Sequence, residues 1–260
     1  MLTKFLDDRR ARGLSPRTCR FYDGYLKSLL RGITQPVFSM TKDDITDFLN
    51  SLTCNPGGKH AYFRAIRTFF RWALDEEYIS VLPKMKAPKV PKPLRYAVKL
   101  EDIATLLESA KSVRDKLIIS MLADTGLRRS ELLGIGLDDI DLERQVIKVW
   151  GKAKERVVRY GPYTQGLLLD WLKEYQGEGS LFELTGIGLT CVLKRLEKKT
   201  GIKCNAHAFR RTFATQSVRN GLNVFYVQSL LGHSSLTMTR IYAEQVSSED
   251  AIKAYKPIVT

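Results

Sequence analysis

Of the three histidines in this 260-residue chain, two stand in short polar motifs: His207-Ala-Phe-Arg210, followed by Arg211-Thr-Phe-Ala-Thr, and Leu231-Gly-His233. His207 and Arg210 are three residues apart at the start of a predicted helix, so their side chains leave one face and can converge on one group. Upstream, Thr125-Gly-Leu-Arg128-Arg-Ser-Glu131 places an arginine and a glutamate at the same spacing directly after a turn. Downstream, Tyr242 lies nine residues past His233 in Thr239-Arg-Ile-Tyr-Ala. A guanidinium stays charged and forks onto two oxygens, which suits a fixed anionic group. Each residue also has a plain structural use. Arg128 and Glu131 could form a surface ion pair, His207 could be a helix-start histidine, His233 could be satisfied by backbone, and Tyr242 could pack beside Ile241.

These residues must be positioned by a mixed helical and sheet region from about Leu100. Ile103 to Ala110 and Leu117 to Ala123 read as helices, the second ended by the Asp-Thr-Gly turn at 124–126. Val146 to Trp150 and Arg156 to Tyr160 are β-branched or aromatic runs around Gly-Lys-Ala-Lys, a hairpin that puts Lys152 in its turn, by default as an ordinary turn lysine. Asp138, Asp139 and Asp141 precede it, with a short strand expected there. Paired carboxylates can hold two metals, but no other acidic group pairs with this cluster, so it reads as solvated charge and no metal site is expected. From Tyr163 the pattern is helical, broken at Gly177–Ser180, Gly201–Asn205, Gly221 and Gly232, with a last helix expected over Ser248–Tyr255.

The N-terminal part reads as four helices. Gly13 and Gly32 act as stops, Ser15-Pro16 as an N-cap with proline at the first helical position, and Thr41-x-x-Asp44 as a capping box. In the helix from Pro16, Arg17, Arg20, Lys27 and Arg31 share one face, opposite Phe21, Tyr22, Tyr25, Leu26 and Leu29. The helix after Pro56 repeats the plan: His60, Arg64, Arg67 and Arg71 form one stripe, and Tyr62, Ile66, Phe69, Phe70 and Ala73 the other. Val81 to Lys99 holds four prolines and no acid, with Lys84, Lys86, Lys89 and Lys92 among its cations; proline excludes a helix there, and the stretch reads as a stiff basic linker.

Charge sets the class of partner. The chain has 42 Lys and Arg against 28 Asp and Glu, a net +14, with 44% hydrophobic residues, which is globular rather than disordered. Residues 1–99 hold 19 basic and 9 acidic residues, net +10, while 100–260 hold 23 and 19, net +4. Two helical stripes almost free of acid are the footprint of nucleic-acid binding. No apolar run is long enough to read as a membrane span and the first ten residues show no signal-peptide core, so a cytoplasmic protein, in the cytosol or on the nucleoid, is expected. Cys19, Cys54, Cys191 and Cys204 lie far apart without a C-x-x-C, so four reduced, mostly packed thiols are expected rather than zinc or disulfides.

Taken together, the motifs resemble the tyrosine recombinase (phage integrase, Xer-like) family over essentially the whole chain. The family's catalytic set is matched in order by Arg128 in Thr-Gly-x-Arg-x-Ser-Glu, Lys152 in the Gly-Lys turn, His207 and Arg210 in the His-x-x-Arg box, His233 in Leu-Gly-His, and Tyr242. Six positions in register form a far more specific signal than any one. The resemblance implies a mainly α fold with a small antiparallel sheet: an N-terminal four-helix, SAM-like core-binding domain at 1–80, the linker at 81–99, and an α+β catalytic domain at 100–260 with a tail from about 243. Position 211 is arginine where the family often has a second histidine, and the Gly151–Arg156 turn is one residue shorter than common versions.

The implied function is site-specific recombination of double-stranded DNA. A phosphodiester transition state concentrates charge on the non-bridging oxygens, which suits Arg128 and Arg210. Tyr242, with a phenol pKa near 10, would attack as it loses its proton. By the resemblance, His207 accepts that proton, Lys152 protonates the leaving 5′ oxygen, His233 bonds a phosphate oxygen and Glu131 supports the loop. One phosphoester replaces another, so neither a cofactor nor a metal is expected. The duplex is expected to be clamped by both domains of a simple two-domain member, with a homotetramer on synapsed DNA, a tail docking on a neighbouring subunit, and a paralogue or accessory protein as possible company. Type IB topoisomerase-like relaxation and a catalytically silent DNA-binding protein are the alternatives.

Overall fold

Capping side chains mark where the N-terminal helices begin. Ser15 Oγ accepts from the Thr18 amide and opens α2 (Pro16–Gly32), Thr41 and Asp44 form a reciprocal box that opens α3 (Lys42–Ser51), and Asn55 Oδ1 accepts from Gly58 to open α4 (Pro56–Asp75). With α1 (Leu2–Ala11) these make the four expected helices, joined after α2 by one short 3₁₀ turn at Val37–Ser39. This computed structural model describes residues 1–91, 96–151 and 155–232, and the chain divides into two units, residues 1–94 and 95–260.

The first unit has its own core of Phe5, Leu26, Leu29, Ile45, Ile66, Phe69 and Phe70, all buried. Phe5 meets Phe69 and Tyr22 edge to face, with each pair of centroids 5.3 Å apart, an arrangement that fixes α1 against α2 and α4. Gly32 ends α2 as expected, but for a packing reason rather than a left-handed turn. It is the last residue of α2, and a Cβ there would lie 2.7 Å from the Phe48 ring, so glycine is needed for close packing. Residues 81–91 form no helix or strand, and Lys84, Lys86 and Lys89 are exposed.

The second unit is built around α6 (Val113–Thr125), whose Leu117, Ile118, Ile119, Met121 and Leu122 are all buried. A helix apolar on every side must be covered on every side, and α5 (Leu100–Ser109), α8 (Pro162–Glu174) and α10 (Ala206–Arg219) pack on it. α6 starts four residues before the expected Leu117, because Ser112 caps the Asp115 amide and Asp115 is buried beside Arg114 and Arg195. Three antiparallel strands run in the order β1 (Ile140–Asp141), β2 (Val146–Trp150), β3 (Glu155–Arg159), paired Val146 with Arg159 and Trp150 with Glu155. Among the described residues the remaining α-helices are α7 (Arg129–Leu133), α9 (Gly186–Thr200) and α11 (Val224–Leu231).

Two smaller expectations resolve differently. All four cysteines are free, but only Cys19 and Cys204 are buried, so half rather than most are packed. Asp139 accepts from the Gly136 amide and Asp141 from the Arg144 amide, which makes them turn-closing groups, and no metal-holding cluster exists among the described residues.

Candidate active site

The site starts where α6 stops. Gly126 ends the helix in the left-handed region (φ +60°), a conformation that costs a side-chain-bearing residue strain, and a Cβ there would meet Phe213 at 2.6 Å. The turn delivers buried Leu127 and then Arg128, which caps α7. Glu131, one turn on, reaches back: its Oε2 accepts from the Arg128 amide at 2.8 Å and its Oε1 from Arg128 Nη1 at 2.6 Å. This is no surface ion pair, because Glu131 is only 5% exposed.

Two further guanidiniums reach the same carboxylate. Arg156 of β3 forks onto it, Nη1 to Oε1 at 2.9 Å and Nη2 to Oε2 at 2.8 Å, and Arg210 of α10 lies 4.0 Å from Oε2. Burial alone raises the Glu131 pKa, but the Arg156 hydrogen bonds, then those of the Arg128 amide and guanidinium and the Arg156 charge, outweigh it and bring the pKa down to about 2. The carboxylate balances only one of three guanidinium charges, so the cluster stays cationic.

The same three arginines also hold the end of α11. Arg156 Nε donates to the Leu230 carbonyl at 2.6 Å, Arg210 Nη2 to the Leu231 carbonyl, and Arg128 Nη2 to the Gly232 carbonyl at 2.9 Å. The last carbonyls of a helix lack intrahelical donors and form the negative end of its dipole, so cations are favoured there. Gly232 takes φ +61°, and its missing Cβ leaves room for Arg156, whose Nη1 would lie only 3.1 Å from one. Arg210 Nη1 also donates to the Gly126 carbonyl at 2.7 Å, tying α10 back to the turn before Arg128.

Exposure separates the two arginines singled out from the sequence. The Arg128 side chain is 33% exposed and the Arg210 side chain 5%, so Arg128 fronts solvent while Arg210 works from below. His207, opened into α10 by the Asn205 cap, is exposed on the helix that buries Arg210. Partial desolvation first, then the charges of Arg211, Arg210, Arg129 and Arg128, push its pKa below the ordinary 6.5, so the imidazole is neutral and able to accept a proton at neutral pH. Arg211 donates to the Tyr96 carbonyl at 2.8 Å and Thr212 to the Val98 carbonyl at 2.6 Å, so α10 also anchors the chain entering this unit. Lys152, His233 and Tyr242 lie outside the described residues, as do Lys92 and the tail.

In the first unit, the α4 stripe borders a cavity of about 580 Å³, where His60, Arg64, Arg67 and Arg71 are joined by Arg9 of α1 and by Arg12, the residue that caps its end. Phe21 and Tyr22 are half-buried: Tyr22 packs on the core as expected, and both rings also wall the cavity, with the Arg64 guanidinium over the Phe21 ring at 5.6 Å. Arg17, Arg20, Lys27 and Arg31 are exposed but do not line this cavity, and Lys27 is paired with Asp23 at 2.8 Å.

Sequence reasoning missed Arg9, Arg12 and Arg156. The first two sit beside Asp7 and Asp8 and so look charge-balanced; Arg12 does bond Asp8, at 3.0 Å. Arg156 had a legible signal: it shares parity with buried Val158 and pairs with buried Val149, so it is a cation on the apolar face of a strand and requires a buried partner.

Comparison with known proteins extends over both units. Residues 97–249 match the Phage integrase family and residues 1–80 the Phage integrase, N-terminal SAM-like domain. The chain is 35% identical to Tyrosine recombinase XerA of Saccharolobus solfataricus, over 90% of this chain and 84% of that protein. It is 30% identical to Tyrosine recombinase XerD of Bifidobacterium longum, over 94% and 91%. Among solved structures, a crystal structure of XerA recombinase shares 25% identity with a TM-score of 0.56 and coverage of 98% and 96%. A lambda integrase dimer bound to a COC′ core site shares the fold at a TM-score of 0.79, with 18% identity and coverage of 99% and 97%.

Proposed function

The chain belongs to the phage integrase family of tyrosine recombinases, enzymes that cut and rejoin DNA site-specifically through a phosphotyrosyl intermediate, and on that premise we propose how its own residues divide the work. Arg128 meets the non-bridging oxygens of the scissile phosphate from the solvent side, and Arg210 stabilises the same charge from beneath. The phenolic oxygen of Tyr242 attacks phosphorus, its proton passes to neutral His207, the bond to the 5′ oxygen breaks, and Lys152 supplies the proton that the leaving oxygen takes. His233 bonds a phosphate oxygen. The products are a 3′-phosphotyrosyl ester and a free 5′-hydroxyl, and the reverse sequence rejoins a strand without another energy source. Supporting this reading is the convergence of Arg128, Arg210 and Glu131 near a histidine whose proton affinity is lowered by desolvation first and then by the charges of Arg211, Arg210, Arg129 and Arg128.

Residues 1–80 grip the duplex through the α4 stripe with Arg9 and Arg12, and through Arg17, Arg20, Lys27 and Arg31 on α2; the basic linker at 81–99 adds charge, and residues 100–260 do the chemistry. On synapsed sites the enzyme works as a homotetramer, with the tail from about 243 on a neighbour, in the cytoplasm. Among the described residues no helix is long and apolar enough to cross a membrane. The test is a nicked duplex selected from a random-sequence library by covalent capture. Wild-type protein should give a protein–DNA band on a denaturing gel, and Tyr242→Phe should give none while still binding. A band that persists in Tyr242→Phe refutes the assignment of the nucleophile.

A further inference from the structure

Arg156 forms the largest single stabilising interaction of the Glu131 carboxylate and is the partner of the Leu230 carbonyl. We propose that Arg156 is a positioning residue of the cleavage reaction: by forking onto Glu131 and bracing the end of α11, it keeps Arg128 and Arg210 aimed at the scissile phosphate. The inference rests on the clamp role given to those two arginines above.

The geometry supports it in three ways. First, Glu131 accepts from Arg128 and Arg156 through both oxygens, so removing Arg156 leaves half of each oxygen's hydrogen bonding unfilled in a buried position and frees the carboxylate to rotate toward Arg128. Second, consecutive carbonyls at 230, 231 and 232 receive Arg156, Arg210 and Arg128, one each. The spacing of a helix end thereby sets the spacing of three guanidiniums, and a shift of that end displaces both clamp arginines together. Third, Arg156 is fixed to the sheet through the Val149–Arg156 pair and its side chain is 10% exposed, so it is too buried to meet a duplex and its charge is available to the node alone. A lysine could still reach one acceptor but cannot fork onto a carboxylate while a third nitrogen holds a carbonyl.

The experiment uses the full chain and two versions of the selected nicked duplex, one with an ordinary scissile phosphate and one with a methylphosphonate there. The methyl group removes the charged non-bridging oxygen and with it most of the demand for a guanidinium clamp. Arg156→Ala should bind both duplexes within about 2-fold of wild type and cleave the phosphodiester about 10- to 100-fold more slowly, the range for losing a group that orients a ligand-holding side chain. The deficit should shrink to a few-fold on the methylphosphonate. Arg156→Lys should fall between, and thermal melting of each variant shows how much of it is folded. An equal deficit on both duplexes would mean a smaller active population and would overturn the proposal, as would full phosphodiester cleavage by Arg156→Ala. Failure of wild-type protein to cleave either duplex would instead refute the functional reading on which the proposal rests.

Discussion

Replacing Glu131 by glutamine removes the charge on which three guanidiniums depend, and the cost can be worked from its proton affinity. The carboxyl sits at about pKa 2, against 4.5 for an ordinary glutamate. At about 1.4 kcal/mol per unit, that difference stabilises the folded second unit by roughly 3 kcal/mol at pH 7. The sign follows from the direction of the shift. A carboxylate whose folded pKa is depressed contributes fully above its unfolded value near 4.5 and loses that contribution as pH falls toward its folded value near 2. Glu131→Gln should therefore be destabilised by roughly 3 kcal/mol at pH 7, with the gap to wild type flat down to about pH 5 and then closing by up to about 1.4 kcal/mol per pH unit. Hydrogen exchange of α6 peptides across a urea series resolves the second unit from the first and gives the stability at each pH. A gap below about 1 kcal/mol at pH 7, or one that does not narrow below pH 4.5, would refute the reasoning.

Three further outcomes are expected. The single-turnover cleavage rate should fall on acidification with an inflection below 6.5, and Arg211→Gln, which removes the strongest charge acting on His207, should move that inflection upward; an unmoved inflection means another group accepts the proton. Arg64→Ala or Arg67→Ala should weaken binding across all sequences and reduce the slope of log K against log salt by roughly 0.9 for each phosphate left without its cation, measured by fluorescence anisotropy over a salt series. Gly126→Ala, which forces a Cβ to within 2.6 Å of Phe213 at φ +60°, should destabilise the second unit by about 3 kcal/mol in chemical denaturation, combining backbone strain with overpacking.

Local signals in the sequence placed most of the framework. The Ser15 and Thr41 caps, the glycine turn at 126 and the two strand runs each act within a few residues, and the elements they mark lie where those signals put them. What stayed hidden depends on distant partners. The start of α6 was obscured because Arg114, Asp115 and Lys116 look like loop charge until Arg195, far along the chain, is seen beside Asp115. Arg128 and Glu131 taken alone read more readily as a surface pair, and the burial of Glu131 distinguishes the two cases. Arg156 broke the alternation of its strand, but its meaning needed both the carboxylate at 131 and the carbonyl at 230. The α1 cations were masked by neighbouring aspartates that do not neutralise all of them. Lys152, His233 and Tyr242 fall beyond the described residues, so for them the motif and its spacing remain the basis.

The arginine cluster also has a consequence for synthesis of the chain. Its ties span long stretches of sequence: 104 residues from Arg128 to Gly232, 74 from Arg156 to Leu230 and 84 from Gly126 to Arg210. Such closures form late, after the local helices, because their loop entropy must be met before the bonds form. A nascent chain that has not yet released residue 232 from the ribosome has all of its first unit, residues 1–94, available to fold while the arginine cluster is still unassembled. Chain order therefore delivers the basic helices of the first unit well before the arginine cluster that the end of α11 completes.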